Sequence, residues 1–269
     1  MPLKSDATMP DMRRFVVISG AIIATIVLCV SVGFSYRERI ALMWDPSAAR
    51  AYVSGMRHFN SMNARVYDID EAQYFLTRAA HINPKYPYVF HQLARIHFLK
   101  AEYPQALDAI NREMENNPDG ERAPVFYMRG LIEGYMGDYT AAVRDYKESV
   151  RLVPERWEAR VDYAWVLIKT GNYPEALHIV EAGLAAHPEN PWLLSMRATV
   201  LHEQGNETDA LPAARLALQA VNGITEAMWL TAYPGNAPEA AVIGIRTLRD
   251  AAQKNLEIIE RSSGVLKRE

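Results

Sequence analysis

The sequence predicts an all-α solenoid of about five helical hairpins. Three observations indicate this fold: amphipathic stretches of helical period, a small residue that recurs within them at a nearly constant interval, and a turn residue at a fixed distance after it. Successive small residues are 34 or 36 positions apart: Ala72, Ala106, Ala142, Ala176 and Ala210. Twelve positions after them stand Pro84, Pro118, Pro154, Pro188 and Asn222. The repeated unit therefore has the length of two short helices, A and B, with their turns.

The small residues have a physical role in such a unit, because they let two helix backbones approach closely. Twelve positions before each alanine of helix B stands a residue of modest size in helix A: Asn60, Ala94, Gly130, Ala164 and Ala198. The first unit is predicted to have helix A at residues 47–63 and helix B at residues 69–82. Three residues depart from the pattern: Tyr67 replaces a turn glycine, Glu113 replaces a small residue, and Asn222 replaces the last proline.

Two turns carry a more specific signal. The stretches GDYTAA (137–142) and GNYPEA (171–176) each read as a tight turn that leads into an amphipathic helix. Together with the 34-residue interval they resemble the tetratricopeptide repeat family, and the resemblance extends over residues 53 to about 222. It implies a right-handed solenoid whose A helices line an inner groove. We assign the solenoid to residues 46–222.

The N-terminal region predicts a membrane anchor. A short polar tail at residues 1–14 precedes twenty uncharged residues, which are enough to cross a bilayer as one helix. We assign the transmembrane anchor to residues 15–36 and a linker to residues 37–45. A cleaved signal peptide and a lipoprotein signal at Cys29 are the alternatives. The expected localisation is the inner (cytoplasmic) membrane of a bacterium, with a single span and the repeats in the periplasm.

After Asn222 the period fails, and we assign residues 223–269 to C-terminal capping helices and a tail. Residues 237–261 predict a long helix with one apolar and one charged side. Such a helix closes a solenoid, whose last hairpin otherwise exposes its stacking face. A dimerising helix is the alternative, so the sequence leaves a homodimer open without supporting it further.

Composition and motifs argue against several classes of function. The formal net charge of −3 gives no basic surface that would indicate nucleic acid as a partner. Cys29 is the one cysteine, and the sequence has no phosphate-binding glycine loop and no His-Glu-x-x-His motif, so we expect no metal and no cofactor. His91 and His97 are six residues apart, which places them on opposite sides of a helix. We predict that the chain is not an enzyme and has no catalytic residues.

The candidate site is the inner surface of the A helices. In the family that the sequence resembles, certain positions of helix A point into the groove, and they can be carried over by register. The predicted groove residues are Arg57, Arg65, Tyr88, His91, Arg95, Phe98, Tyr127, Leu131, Tyr135, Trp165, Lys169 and Trp192. Aromatic side chains offer a large apolar contact area, and arginines bind carboxylates through paired hydrogen bonds.

These observations predict a membrane-anchored, non-catalytic scaffold that binds a peptide or a partner protein in its groove. The alternative is a structural or assembly-factor subunit of a membrane complex, of the type that serves secretion, cytochrome c maturation or envelope biogenesis. A permanent subunit would bind its complex through the outer surface and the C-terminal helix, whereas a scaffold binds its partner through the groove.

Overall fold

The fold is all-α throughout the part of the chain that the structure describes. The structure is a computed structural model, and it describes residues 37–44 and 46–264. Its helices are α1 (Arg37–Trp44), α2 (Ala48–His58), α3 (Ile69–Ile82), α4 (Val89–Leu99), α5 (Tyr103–Asn116), α6 (Arg122–Met136), α7 (Tyr139–Leu152), α8 (Trp157–Lys169), α9 (Tyr173–Ala186), α10 (Pro191–Glu203), α11 (Glu207–Asn222), α12 (Glu226–Ala232) and α13 (Ala240–Ser262).

Helices α2 to α11 form five hairpins that stack in chain order. Hairpins 1 to 5 pair α2 with α3, α4 with α5, α6 with α7, α8 with α9, and α10 with α11, and helix B of each hairpin packs against helix A of the next. The first helix of each pair is helix A and the second is helix B. The predicted solenoid of about five helical hairpins is therefore confirmed.

The recurring alanines lie at the closest helix contacts. All five are fully buried, at 0% exposure. A Cβ atom on Gly130 of α6 would lie 3.3 Å from the carbonyl oxygen of Ala142 on α7, so these two backbones approach where the pattern predicts. Gly183 has the same role between hairpins, because a Cβ there would lie 2.9 Å from Cδ2 of Leu193 on the next helix A.

The first hairpin departs from the predicted register. Helix α2 ends at His58 rather than at residue 63, and a hydrogen bond from the Asp68 amide to the His58 carbonyl (2.9 Å) closes the long turn that follows. The glycine that faces α3 is Gly55, whose Cβ would lie 2.7 Å from Cγ of Leu76, whereas Asn60 is exposed in the turn. The groove position Arg65, carried over for this copy, therefore lies in the turn and not on helix A.

Residues 37–44, where the sequence predicts a linker, form helix α1. This helix packs against the first hairpin through two ion pairs, from Glu38 to Arg57 and from Arg39 to Glu71. Ser47 then caps α2, since its hydroxyl accepts a hydrogen bond from the Arg50 amide (3.2 Å). The start of the solenoid is thus covered by a short helix.

The predicted localisation in the inner membrane needs a correction. Within residues 37–44 and 46–264, no helix combines the length and the apolar character that a bilayer span requires. The polar tail predicted at residues 1–14 and the anchor predicted at residues 15–36 lie outside the described residues.

Helix α13 covers the far end of the solenoid. Its buried side contains Leu256 and Ile259, which cluster with Ala210 and Ala213 of α11, and Ala252, which clusters with Val221 at the end of α11. The residues on this side agree with the apolar side predicted from the sequence. The helix therefore lies where a sixth hairpin would otherwise stack, which is the position of a cap.

Glu113, which breaks the small-residue pattern, caps a helix of its own hairpin. Its carboxylate is buried and accepts hydrogen bonds from the backbone amides of Tyr88 (2.8 Å), Phe90 (3.1 Å) and His91 (3.2 Å) at the start of α4. These amides have no partner within their own helix, because the first turn of a helix leaves its N–H groups free. The charge on Glu113 also complements the positive end of the helix dipole.

We expect Glu113→Ala to lower the free energy of unfolding by about 2–4 kcal/mol, because three backbone donors lose their acceptor. Thermal and urea unfolding followed by circular dichroism measure this change. Glu115→Ala is the matched control, since Glu115 is exposed on the same helix. An equal and small effect of the two substitutions would contradict the capping role.

The surroundings of Glu133 on α6 disfavour the charged form of its carboxyl group. Burial, followed by repulsion from Asp145, raises the pKa of its carboxyl group from 4.5 to about 7. Its Oε2 atom is buried without a hydrogen-bond partner, and its Oε1 atom lies 3.9 Å from Nε of Arg129. The folded chain therefore binds the Glu133 proton more tightly than the unfolded chain, and stability is lost as the pH rises through the interval from about 4.5 to about 7.

We expect Glu133→Gln to leave stability nearly unchanged at pH 4 and to raise the free energy of unfolding by about 1–3 kcal/mol at pH 8. Urea titrations of both proteins at the two pH values test this. A difference between the proteins that does not change with pH would contradict the assignment.

Candidate binding groove on the face of the A helices

One segment of the chain crosses the face that the A helices form. After hairpin 5, helix α12 packs Trp229 into a cluster with Trp192 of α10 and Trp157 of α8. Residues 231–236, which we call the strap, then reach the turn of hairpin 1. The strap thereby crosses the face of the A helices from the fifth hairpin to the first.

The strap is held by hydrogen bonds between its backbone and side chains of hairpins 1 and 2. The hydroxyl of Tyr67 donates to the carbonyl of Gly235 (2.8 Å), and Nη2 of Arg95 donates to the carbonyl of Pro234 (2.5 Å). The amide of Gly235 donates to Oγ of Ser61 (3.3 Å). The three protein groups come from helix α4 and from the long turn after α2.

Gly235 marks the closest approach of the strap to the solenoid. Its φ angle is +91°, a conformation that glycine adopts readily and other residues do not. A Cβ atom at this position would lie 2.7 Å from Cζ of Phe59 and 3.0 Å from Nη2 of Arg95. Only glycine fits this place without a shift of the ring or of the guanidinium group.

The strap does not fill the groove, and a cavity of about 280 Å³ remains beneath it. Its walls belong to α4, to α6, to the start of α8 and to the strap. The lining residues are His91, Arg95, Phe98, Leu99, Pro124, Tyr127, Met128, Leu131, Arg156, Glu158, Thr231, Ala232, Tyr233, Pro234 and Asn236. The cavity thus combines aromatic and aliphatic walls with two arginines.

Neither arginine of the cavity has a carboxylate partner among the described residues. Arg95 also donates to Oε1 of Gln92 (2.8 Å), and its guanidinium lies 4.9 Å from the ring centre of Phe59. Arg156 lies 5.5 Å from the ring centre of Tyr127. Neither appears in an ion pair within 4 Å. Both cations can therefore bind an acceptor that enters the cavity.

His91 is neutral in this setting. Burial, followed by the positive charge of Arg95, lowers the pKa of its imidazole to about 3. The Nδ1 atom is buried and has no hydrogen-bond partner in the described part of the chain. The histidine therefore adds no charge to the cavity that it lines.

Tyr127 and Asp162 form the back of the groove. The hydroxyl of Tyr127 donates to Oδ2 of Asp162 (2.8 Å). Burial raises the pKa of Asp162 to about 6, although the Tyr127 hydrogen bond opposes this change. The pair joins α6 to α8 and fixes the orientation of the Tyr127 ring.

A row of aromatic rings continues from the cavity along the ends of the A helices. The Phe98 and Tyr135 ring centres are 4.9 Å apart, and those of Tyr135 and Trp165 are 6.2 Å apart. Nζ of Lys169 lies 5.8 Å from the Trp165 ring centre. Because Tyr135 is 56% exposed, this row is open to solvent.

The structure brings together five of the predicted groove residues. His91, Arg95, Phe98, Tyr127 and Leu131 line the cavity. Tyr135, Trp165 and Lys169 belong to the adjacent row of rings. Trp192, with 7% exposure, stacks on Trp157 with ring centres 4.8 Å apart and supports the strap from below.

Three predicted residues lie elsewhere. Arg57 lies in α2 and pairs with Glu38 of α1, whereas Arg65 is exposed in the long turn because α2 ends at His58. Tyr88 precedes α4 and lines a second depression with Glu113 and Glu121. Burial, followed by its hydrogen bond with Glu121, raises the pKa of Tyr88 to about 12.

Sequence reasoning placed Ser61 in the groove by register but missed Phe59 and Tyr67, which also hold the strap. Phe59, Ser61 and Tyr67 lie in a turn where the repeat pattern predicts helix or a turn glycine. The signal that was present is Tyr67 itself, a large residue at a glycine position. No group of three or more metal-ligating side chains occurs within the described residues.

Comparisons with known proteins give the family context of this groove. A tetratricopeptide repeat family profile matches residues 135–199, which cover the end of α6 to most of α10. This match supports the tetratricopeptide repeat family. The matched residues include both turns, GDYTAA and GNYPEA, on which the sequence resemblance rests.

Two curated relatives cover about half of the chain. The chain is 27% identical over 145 residues to the photosystem I assembly protein Ycf3 of Prochlorococcus marinus (strain MIT 9313), a match that spans 51% of the chain and 83% of that protein. It is 27% identical over 146 residues to the human protein SGT1 homolog, where the match spans 54% of the chain but only 40% of that protein. Less than two thirds of the human protein is therefore represented.

Solved structures share the fold. A tetratricopeptide repeat protein from Parabacteroides merdae superposes with a TM-score of 0.56 at 18% identity, over 82% of this chain and 89% of that one. YrrB, described as a TPR protein with an unusual peptide-binding site, superposes with a TM-score of 0.55 at 17% identity, over 68% of this chain and 91% of that one. At these identities the likeness shows the fold alone.

Proposed function

We propose that this chain is a non-catalytic scaffold that binds a segment of a partner protein in the concave groove, at the cavity between α4 and α6. The observation that carries the proposal is that one cavity has both aromatic and aliphatic walls and two arginines, Arg95 and Arg156. Neither arginine has a carboxylate partner among the described residues.

The chemistry of the cavity suits a peptide. Apolar walls such as Phe98 and Leu131 gain free energy when a side chain displaces water from them. Arginines bind carbonyl and carboxylate oxygens, and an arginine held near an aromatic ring keeps its orientation. Sites that bind through few convergent polar groups in an apolar surround are typical of specific recognition.

The experiment that tests this function is photocrosslinking in the cells that produce the protein. A photoreactive amino acid replaces Leu131 in the groove, and the matched control carries it at Lys147, which is exposed on helix B of the same hairpin. We expect a defined partner to be captured from position 131 and not from position 147. Arg95→Ala should reduce this capture at least tenfold.

Two outcomes would contradict the proposal. One is capture of the same protein with equal yield from positions 131 and 147. The other is capture from position 131 that Arg95→Ala leaves unchanged, although circular dichroism shows an intact fold. The captured chain, identified by mass spectrometry, would also define the segment that enters the groove.

The second candidate is an assembly factor for a larger complex. The observation that favours it is the match to proteins named photosystem I assembly protein, one of which is covered over 83% of its length. An assembly factor binds a subunit transiently, so co-purification should be substoichiometric and should depend on Arg95. Constant stoichiometry that Arg95→Ala does not alter would instead indicate a permanent structural subunit.

A further inference from the structure

We propose that the strap is an internal ligand, and that the partner segment which replaces it has the same chemistry: an aromatic residue that leads into a turn with glycine. The inference rests on the proposed function, because it specifies the segment that the groove binds. The strap and the partner segment would then compete for the same side chains of hairpins 1 and 2.

The solenoid binds backbone atoms of the strap. Tyr67 and Arg95 bind two successive carbonyls, and Ser61 accepts the amide hydrogen bond of Gly235. Every peptide has these backbone groups. The contacts therefore fix the path of the bound segment and do not require the particular side chains of the strap.

Two positions of the strap restrict which residue can occupy them. At Gly235 the ring of Phe59 and the guanidinium of Arg95 leave no room for a Cβ atom. Two positions earlier, the Tyr233 ring lies 4.9 Å from the Trp229 ring and 6.1 Å from the Trp192 ring, as ring centres. A competing segment thus needs an aromatic residue two positions before a glycine.

The strap can detach from the groove while helix α13 remains packed on the solenoid. Helix α13 is held by its own apolar contacts with α11 and by hydrogen bonds from Arg249 to the carbonyls of Asn222 and Ile224 (both 3.1 Å). These contacts do not involve residues 233–236, although Ala232 at the start of the strap packs against the cluster of Ala241 and Ile245 of α13. Tyr233 is 39% exposed and the cavity beneath the strap is unfilled, so the strap occupies the groove only in part.

The test uses the full chain and a labelled peptide with the sequence of residues 229–238, followed by fluorescence anisotropy. Gly235→Ala prevents the strap from seating, since the added Cβ meets Phe59 and φ is unfavourable. We expect the peptide to bind Gly235→Ala at least tenfold more tightly than the wild type, where the tethered strap competes at a high effective concentration. A peptide with alanine in place of glycine should not bind.

Three further variants make the result specific. Gly205→Ala introduces the same backbone strain, with φ at +73° and no neighbouring atom within 4 Å, and should bind the peptide as the wild type does. Arg95→Ala added to Gly235→Ala should abolish binding. If Gly235→Ala does not fold, Tyr233→Ala weakens only the tethered strap, because the free peptide keeps its own tyrosine, and this variant should still bind the peptide more tightly than the wild type.

Equal affinity of the wild type and the strap variants, or binding that survives Arg95→Ala, would overturn the inference. Absence of peptide binding to a folded Gly235→Ala protein would overturn it as well. Failure of the proposed function looks different: the peptide binds Gly235→Ala in vitro, but position 131 captures no partner in cells. Equal capture from position 131 in the wild type and in Gly235→Ala would agree with the proposed function. It would contradict the inference that the strap is an internal ligand.

Discussion

Tyr146→Ala is expected to lower the free energy of unfolding by about 3–5 kcal/mol, the range for loss of a fully buried aromatic side chain. Tyr146 has 0% exposure, and its ring centre lies 6.0 Å from that of Tyr127 and 6.5 Å from that of Tyr163. A Cβ atom on Gly130 would lie 3.3 Å from Cδ1 of Tyr146, so the ring packs where helices A and B of this hairpin meet. Its loss leaves a cavity at the junction of hairpins 3 and 4. Urea unfolding at constant pH measures the change.

The hydroxyl group of Tyr146 provides an internal control. It is buried without a hydrogen-bond partner among the described residues, so Tyr146→Phe should be neutral or stabilising by about 1 kcal/mol. Tyr135→Ala, at a tyrosine with 56% exposure in the same hairpin, should cost less than about 1 kcal/mol. If Tyr146→Ala lowers the free energy of unfolding no more than Tyr135→Ala does, the packing of Tyr146 against Gly130 does not contribute to the core.

The second large effect is expected for Asp145→Ala, which should lower the free energy of unfolding by about 3 kcal/mol. The Asp145 carboxylate is 6% exposed and binds the Arg129 guanidinium through two nitrogens, with Nη2 at 2.8 Å from Oδ1. Removal of the carboxylate leaves the partly buried cation with only the more distant carboxylate of Glu133, at 3.9 Å. The same bond raises the pKa of Arg129, so the arginine remains charged.

Asp108→Ala is the matched control for this ion pair. Asp108 and Arg112 form an exposed pair at 4.0 Å one helix away, and such surface pairs contribute only about 0–1 kcal/mol. Thermal unfolding of both variants separates the two cases. Losses of equal size would show that the Arg129 pair contributes no more than a surface contact.

Much of the fold is predictable from the sequence, because the repeat places the same packing requirement at the same interval. Each of the recurring alanines must be small for one reason, which is the approach of two helix backbones. The long C-terminal helix is also predictable, since its apolar side follows the helical period. Hairpin 1 is not, because the turn at residues 59–68 shifts helix A away from the shared register.

The groove is predictable only in part. His91, Arg95 and Tyr127 lie in helices whose register the repeat fixes, and the structure places them in one cavity. The strap leaves no periodic signal, since its hydrogen bonds join residues 61 and 67 to residue 235 across more than half the chain. The role of Glu113 is similarly unpredictable. Its carboxylate stands at a position where the repeat pattern expects a small residue, and it caps the other helix of its hairpin.

The central claim is that the concave face binds a partner segment in the place that the strap now occupies. Hydrogen exchange of the strap amides, measured by mass spectrometry with and without the segment captured from position 131, tests it most directly. The account predicts faster exchange at residues 233–236 when the segment saturates the groove, because the Gly235 amide loses its bond to Ser61. Unchanged exchange in the strap at saturation would contradict the claim and would place the partner on another surface.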